Sequence, residues 1–207
     1  MSIFARCLAI ACYVGAQVAV AEPITPAAEH LAQIIDRLNV EKRWPAGQYV
    51  EWESGIPDGR RPPIGPGNHT HCSAFVAAAA KHVGIYILRP PEHGQLLLAN
   101  AQYDWLAQKG ASKGWTHLDD AAAAQRYANE GWFVVATHKN QNAYKPGHIA
   151  IVRPSDKDAS LLQEEGPQIT QAGLTNYRSV SLATGFRAAW TQNEIQYYAH
   201  PVGGAGQ

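Results

Sequence analysis

The sequence predicts an α+β fold, with helices in the N-terminal part of the chain packed on a C-terminal antiparallel β-sheet. Helical signals cover residues 27–41, 72–84, 95–108 and 119–129, whereas 132–137 and 148–152 are apolar, β-branched runs that read as strands. The polar turn of 138–147 between those strands has a length that joins antiparallel neighbours. With 207 residues the chain can bury one good-sized core but not two comfortable ones, so residues 22–207 are expected to form a single domain.

Composition disfavours some function classes. Lys plus Arg and Asp plus Glu number 17 each and the sequence pI is about 7.1, so no net field draws the chain to nucleic acid or to an anionic membrane. No nucleic-acid partner is expected. The hydrophobic share of 46% is ordinary for a globular chain, and 18 Gly with 13 Pro indicate many loops.

Residues 1–21 read as a secretory signal peptide: Arg6, then an apolar run from Cys7 to Val20 interrupted by Gln17, ending in Ala19-Val20-Ala21. The run falls short of the roughly 20 apolar residues that a membrane anchor needs. A lipoprotein reading through Cys12 lacks the usual preceding leucine, and Tyr13 is large for the residue after a modified cysteine. Cleavage after Ala21 would make the product periplasmic or secreted, with no transmembrane segment after signal removal. It would also remove Cys7 and Cys12 and leave Cys72 as the one thiol, so no internal disulfide could form. A lone thiol in an oxidising compartment calls for burial as a small hydrophobe or for a chemical use.

In the first helix Leu31, Ile34, Ile35 and Leu38 form an apolar face, which reads as scaffold. Residues 43–68 turn to Gly, Pro and aromatics and read as a long loop, in which Trp44, Tyr49 and Trp52 either wall a substrate groove or pin the loop to the core. The loop runs into Thr70-His71-Cys72-Ser73, after which Phe75, Val76, Ala79 and Val83 recur at helical spacing. A hydroxyl at the start, and Lys81, His82 and Gly84 at the end, mark the limits of that helix. A cysteine in the first turn faces unpaired N–H groups and the positive end of the helix dipole, which favours the thiolate. Ala74 and residues 77–80 are small enough to let the helix approach a sheet closely. His69 and His71 beside Cys72 raise a metal alternative, but the paired separations of structural zinc are missing. No metal and no cofactor is expected, and these histidines are read as a basic environment for Cys72.

The helices at 95–108 and 119–129 read as scaffold, the second opening with Asp119-Asp120 and closed by Gly131. His148 is the first residue of the strand at 148–152, at the mouth of a sheet, where a surface histidine is the plainer alternative. Its neighbours change that reading. Cys72-Ser73-Ala74-Phe75-Val76 on a helix, followed 76 residues after the cysteine (148 minus 72) by Pro146-Gly147-His148-Ile149-Ala150-Ile151-Val152 on a strand, resembles the papain-like cell-wall peptidases of the NlpC and CHAP groups. Those proteins typically carry Asp-Cys-Ser-Gly-Phe-Val and Gly-His-Val-Gly-Ile-Tyr on the same two elements.

The resemblance covers roughly residues 68–173 and implies a papain-like fold with Cys72 as nucleophile and His148 as base. It further implies a third polar residue on the following strand to orient the imidazole. Gln171, in the short strand at 168–173, is the candidate and Asn176 the fallback. Where the family has Asp and Gly, this chain has His71 and Ala74, and the loop at 43–68 lacks the family's Tyr and paired glycines. The activity implied is an exported cysteine peptidase or amidase acting on peptidoglycan peptides through an acyl-enzyme. The alternative is a noncatalytic peptidoglycan- or peptide-binding module on the same fold. Residues 179–201 read as the end of the sheet and the closing core, and 203–207 as a frayed terminus.

Overall fold

A computed structural model describes residues 21–60 and 69–203. The signal-peptide reading, with Cys7 and Cys12, lies outside the described residues, as do the last part of the long loop and the end of the C-terminal tail.

The architecture is α+β, helices with one antiparallel sheet, as the patterning predicts. Six strands are ordered β1-β6-β2-β3-β4-β5: β1 (Thr116–Leu118), β2 (Phe133–His138), β3 (His148–Val152), β4 (Gln168–Gln171), β5 (Tyr177–Ser181) and β6 (Gln196–His200). Every pair is antiparallel, and β2 and β3 align with Val135 opposite Ile151 and His138 opposite His148. The last strand, β6, returns to lie between β1 and β2, where the sequence indicates only that the tail closes the sheet.

Alternation along the strands sends side chains into two cores. Phe133, Val135, Ile149 and Ile151 face a cluster built with α1 (Pro26–Arg37) and α2 (Cys72–His82). Val134, Ala136, Ala150 and Val152 face a second, with α4 (Ala121–Asn129) and α6 (Leu182–Phe186). A sheet covered on both faces explains why β2 and β3 read as continuous apolar runs rather than alternating ones. The other helices are α3 (Leu98–Lys109), α5 (Ala159–Glu165) and α7 (Ala188–Thr191), with a 3-10 turn at Gly110–Lys113.

Helix boundaries follow local chemistry. Thr25 and Asp120 cap α1 and α4 by accepting from Ala28 N–H at 3.2 Å and Ala123 N–H at 2.7 Å. Helix α1 stops at Arg37, short of the expected residue 41, because Asn39 turns left-handed at φ 57°. α2 is buried from Cys72 through Ala80, and its alanines allow that close packing against β3.

Candidate active site

Three elements converge on one sulfur: the first residue of α2, the first residue of β3 and the last residue of β4. Cys72 is 3% exposed and is the free thiol of the described residues. The hydroxyl expected to cap α2 is not there. His71 holds the N-cap position and makes no side-chain cap bond, so no N-cap side chain accepts from the first N–H groups of the helix. Two backbone N–H groups, of Ser73 and Ile149, are directed at the Cys72 sulfur and favour its anion.

His148 hydrogen-bonds the Cys72 sulfur, and its Nε2 lies 2.8 Å from Gln171 Oε1. The orientation of Gln171 follows from its second bond, in which Nε2 donates to the Thr175 carbonyl at 3.2 Å. With the amide nitrogen spent there, Oε1 must accept, so His148 Nε2 carries the proton and Nδ1 is the nitrogen left for the sulfur. The structure thus brings together Cys72, His148 and Gln171. Asn176, the fallback, lies elsewhere: its Nδ2 donates to the carbonyls of Val40, Arg43 and Trp44, and its Oδ1 accepts from Gly173 N–H. It ties the chain after α1 to the β4–β5 turn.

The electrostatics of the pair are mutual. Burial pushes the Cys72 thiol up, but the charge and hydrogen bond of His148, with the two N–H groups, hold it below the ordinary thiol value. Burial pulls the His148 imidazole down, and the Cys72 thiolate and Gln171 together lift it above the ordinary value. Both directions favour a thiolate–imidazolium pair. The basic environment expected from His69 and His71 takes a different form: His71 is buried, its Nε2 sits 2.8 Å from the Gln48 carbonyl, and burial lowers its pKa and keeps it neutral. His69 packs against the Tyr49 ring at 5.2 Å. The largest lowering influence on the sulfur comes from His148.

The aromatic loop resolves toward pinning at Trp44. Its indole is 1% exposed, donates from Nε1 to the Trp52 carbonyl at 2.9 Å, and meets Phe75 edge-on at 5.2 Å. It lies flat on Gly55, where a Cβ would come within 2.3 Å of the ring. Trp52 packs against the same core. A surface groove of about 560 Å³ borders Trp44, Arg37, Glu53 and His82, at the far end of α2, and none of Cys72, His148 or Gln171 lines it.

Two site neighbours escape the sequence reading. Phe186 contacts the His148 ring at 4.6 Å with a tilt of 60°, and Gly185 faces the Gln171 amide. Both lie in the tail, where Phe186 reads simply as core and Gly185 carries no motif. Gly147, part of the motif that singles out His148, has a steric reason: a Cβ there would sit 2.2 Å from the His138 carbonyl and 2.5 Å from Asn100 Oδ1, so the turn into β3 closes over that residue only as glycine. Among the described residues no three His, Cys, Asp or Glu side chains gather as a metal site, and no helix is long and apolar enough to cross a membrane. No family model and no curated protein matches the chain.

Proposed function

We propose that the chain is a papain-like cysteine hydrolase, of the NlpC and CHAP type that its two motifs resemble, cleaving amide bonds in peptidoglycan peptides. The observation that carries the reading is the continuous hydrogen-bonded line from Cys72 through His148 to Gln171, anchored at an α-helix start. Such a line is what sulfur nucleophiles use: a base in contact, and a third group that fixes the tautomer of the base.

In this mechanism the Cys72 thiolate adds to the substrate carbonyl carbon, and the carbonyl electrons move to oxygen. Backbone N–H at the open start of α2 stabilises that oxyanion. His148 gives its Nδ1 proton to the leaving amine as the C–N bond breaks, leaving a thioester on Cys72. Water then attacks the thioester, losing its proton to His148, and the acid and free thiolate are restored. Gln171 keeps the imidazole plane aligned throughout by accepting from Nε2–H. No cofactor enters the sequence. The peptidoglycan assignment and the periplasmic or secreted location rest on the motif resemblance and on the signal-like residues 1–21.

Digestion of purified peptidoglycan, with the released fragments weighed by mass spectrometry, tests the proposal. Wild-type protein is expected to release peptide fragments with new amine and carboxylate ends, and Cys72→Ala to release none. Equal release by both would overturn the nucleophile assignment. No release by either, with Cys72 alkylating at an ordinary thiol rate, would favour a binding module instead.

A further inference from the structure

Helix α6 is five residues long and carries a glycine that its backbone does not require. Gly185 lies within the helix and is absent from the residues with positive φ, so an alanine could adopt its conformation. Helix propensity would also favour alanine there. What alanine would bring is a Cβ, which would lie 2.7 Å from Gln171 Oε1 and 2.6 Å from Ile169 Cδ1. On the other end of the same amide, a Cβ on Gly173 would sit 3.1 Å from Gln171 Nε2. The amide that holds His148 therefore lies between two stretches of backbone without side chains. The next residue, Phe186, is 6% exposed and contacts the imidazole itself. The helix is held in place by Leu182, which is 0% exposed, and by the Ser181 hydroxyl, which accepts from Thr184 N–H at 3.3 Å.

We propose that α6 is the positioning element of this site: Gly185 leaves the space in which Gln171 reaches His148 Nε2, and Phe186 fixes the plane of the imidazole. Neither residue touches the reacting atoms; both act through His148. The inference rests on the reading of His148 as the partner of Cys72, and its test needs no peptidoglycan.

Iodoacetamide alkylation of Cys72, followed from pH 5 to 10, reports the thiolate directly. Gly185→Ala is expected to slow alkylation at pH 6 by roughly tenfold, the effect of about one unit in an acid constant. Gln171→Ala is expected to do the same, and the double variant to be no slower than Gln171→Ala alone, because both changes remove one interaction. All rates should converge near pH 10, where the thiol ionises without help. Thr184→Ala, an exposed change on the same helix, should follow the wild-type profile. Phe186→Ala should slow the pH 6 reaction, and Phe186→Tyr should recover most of the lost rate, which keeps the test open if Gly185→Ala does not fold by circular dichroism. A wild-type profile in folded Gly185→Ala, or a multiplicative loss in the double variant, overturns the role of α6 while leaving the Cys72–His148 reading standing. A wild-type thiol that is slow at pH 6 overturns both.

Discussion

Cys72 carries two opposed influences whose balance decides its chemistry. A sulfur that is 3% exposed should resist ionisation, and alone it would be an inert core thiol. His148 reverses this by contact, and the two N–H groups at the sulfur add to the effect. The folded-state pKa of Cys72 is depressed and that of His148 is raised, and both shifts act in the direction that favours the ion pair. Hydrolysis should therefore follow a bell-shaped pH profile, rising below the usual thiol range and falling above the usual imidazole range. His148→Ala removes the largest lowering influence and leaves burial opposed only by the two N–H groups, so the thiol must rise. Alkylation of Cys72 at pH 6 is then expected to fall at least tenfold, an effect of one unit or more in the acid constant. A thiol equally reactive at pH 6 in the variant would show that the helix start alone activates it.

Among the elements, the helix that carries Cys72 and the strand that carries His148 were legible because each has a strong local signal, whereas the four residues of β4 that carry Gln171 have a weak one. Helix α2 has its period, and β3 has four consecutive apolar positions after His148, bounded by Gly147. Helices α5, α6 and α7 were not, since four to seven residues hold too few turns for a period to show. Element ends shifted for the same local reasons, as at Asn39. What fastens α1 to the sheet was also hidden, because its partners are 117 residues apart: Arg153 Nη1 and Nη2 donate to Asp36 at 2.9 and 3.3 Å, and Arg178 adds a third bond at 2.8 Å. Burial raises the Asp36 carboxyl, but these guanidinium bonds outweigh it and hold it below the usual carboxylate value. A depressed folded-state pKa gives stability that is present above the unfolded value and is lost as pH falls through the folded value. Asp36→Ala is expected to cost about 2 kcal/mol at pH 7, less than a fully buried pair would because Arg178 stays largely in water. Urea melts should show that difference shrinking once the pH drops below about 4, the ordinary carboxylate value; a difference constant down to pH 2 would assign the loss to packing.

At the scale of the molecule, the nucleophile comes from the first half of the chain and the base and its orienter from the second, so the site exists only where the two halves are joined in register. Cys72 and His148 could be paired from sequence because two short motifs specify them, while the choice between Gln171 and Asn176 could not, because both are amides close to the end of β4. Their surroundings separate them. Gln171 spends its oxygen on His148, whereas Asn176 spends its nitrogen on three carbonyls of the chain between α1 and the aromatic loop. That amide is one of the pins that join the halves, and it sets the height of the loop carrying Trp44, which in turn packs on Phe75 of α2. Asn176→Ala would leave those carbonyls short of a donor and is expected to cost about 1–3 kcal/mol of stability. It should leave the pH profile of Cys72 alkylation in place, because the line through His148 to Gln171 stays intact. Gln171→Ala should do the reverse, shifting the profile with a smaller loss of stability. Thermal melts and alkylation rates measured on the two variants side by side decide between them: a shifted profile in Asn176→Ala would return that residue to the site, and an unshifted one in Gln171→Ala would remove Gln171 from it.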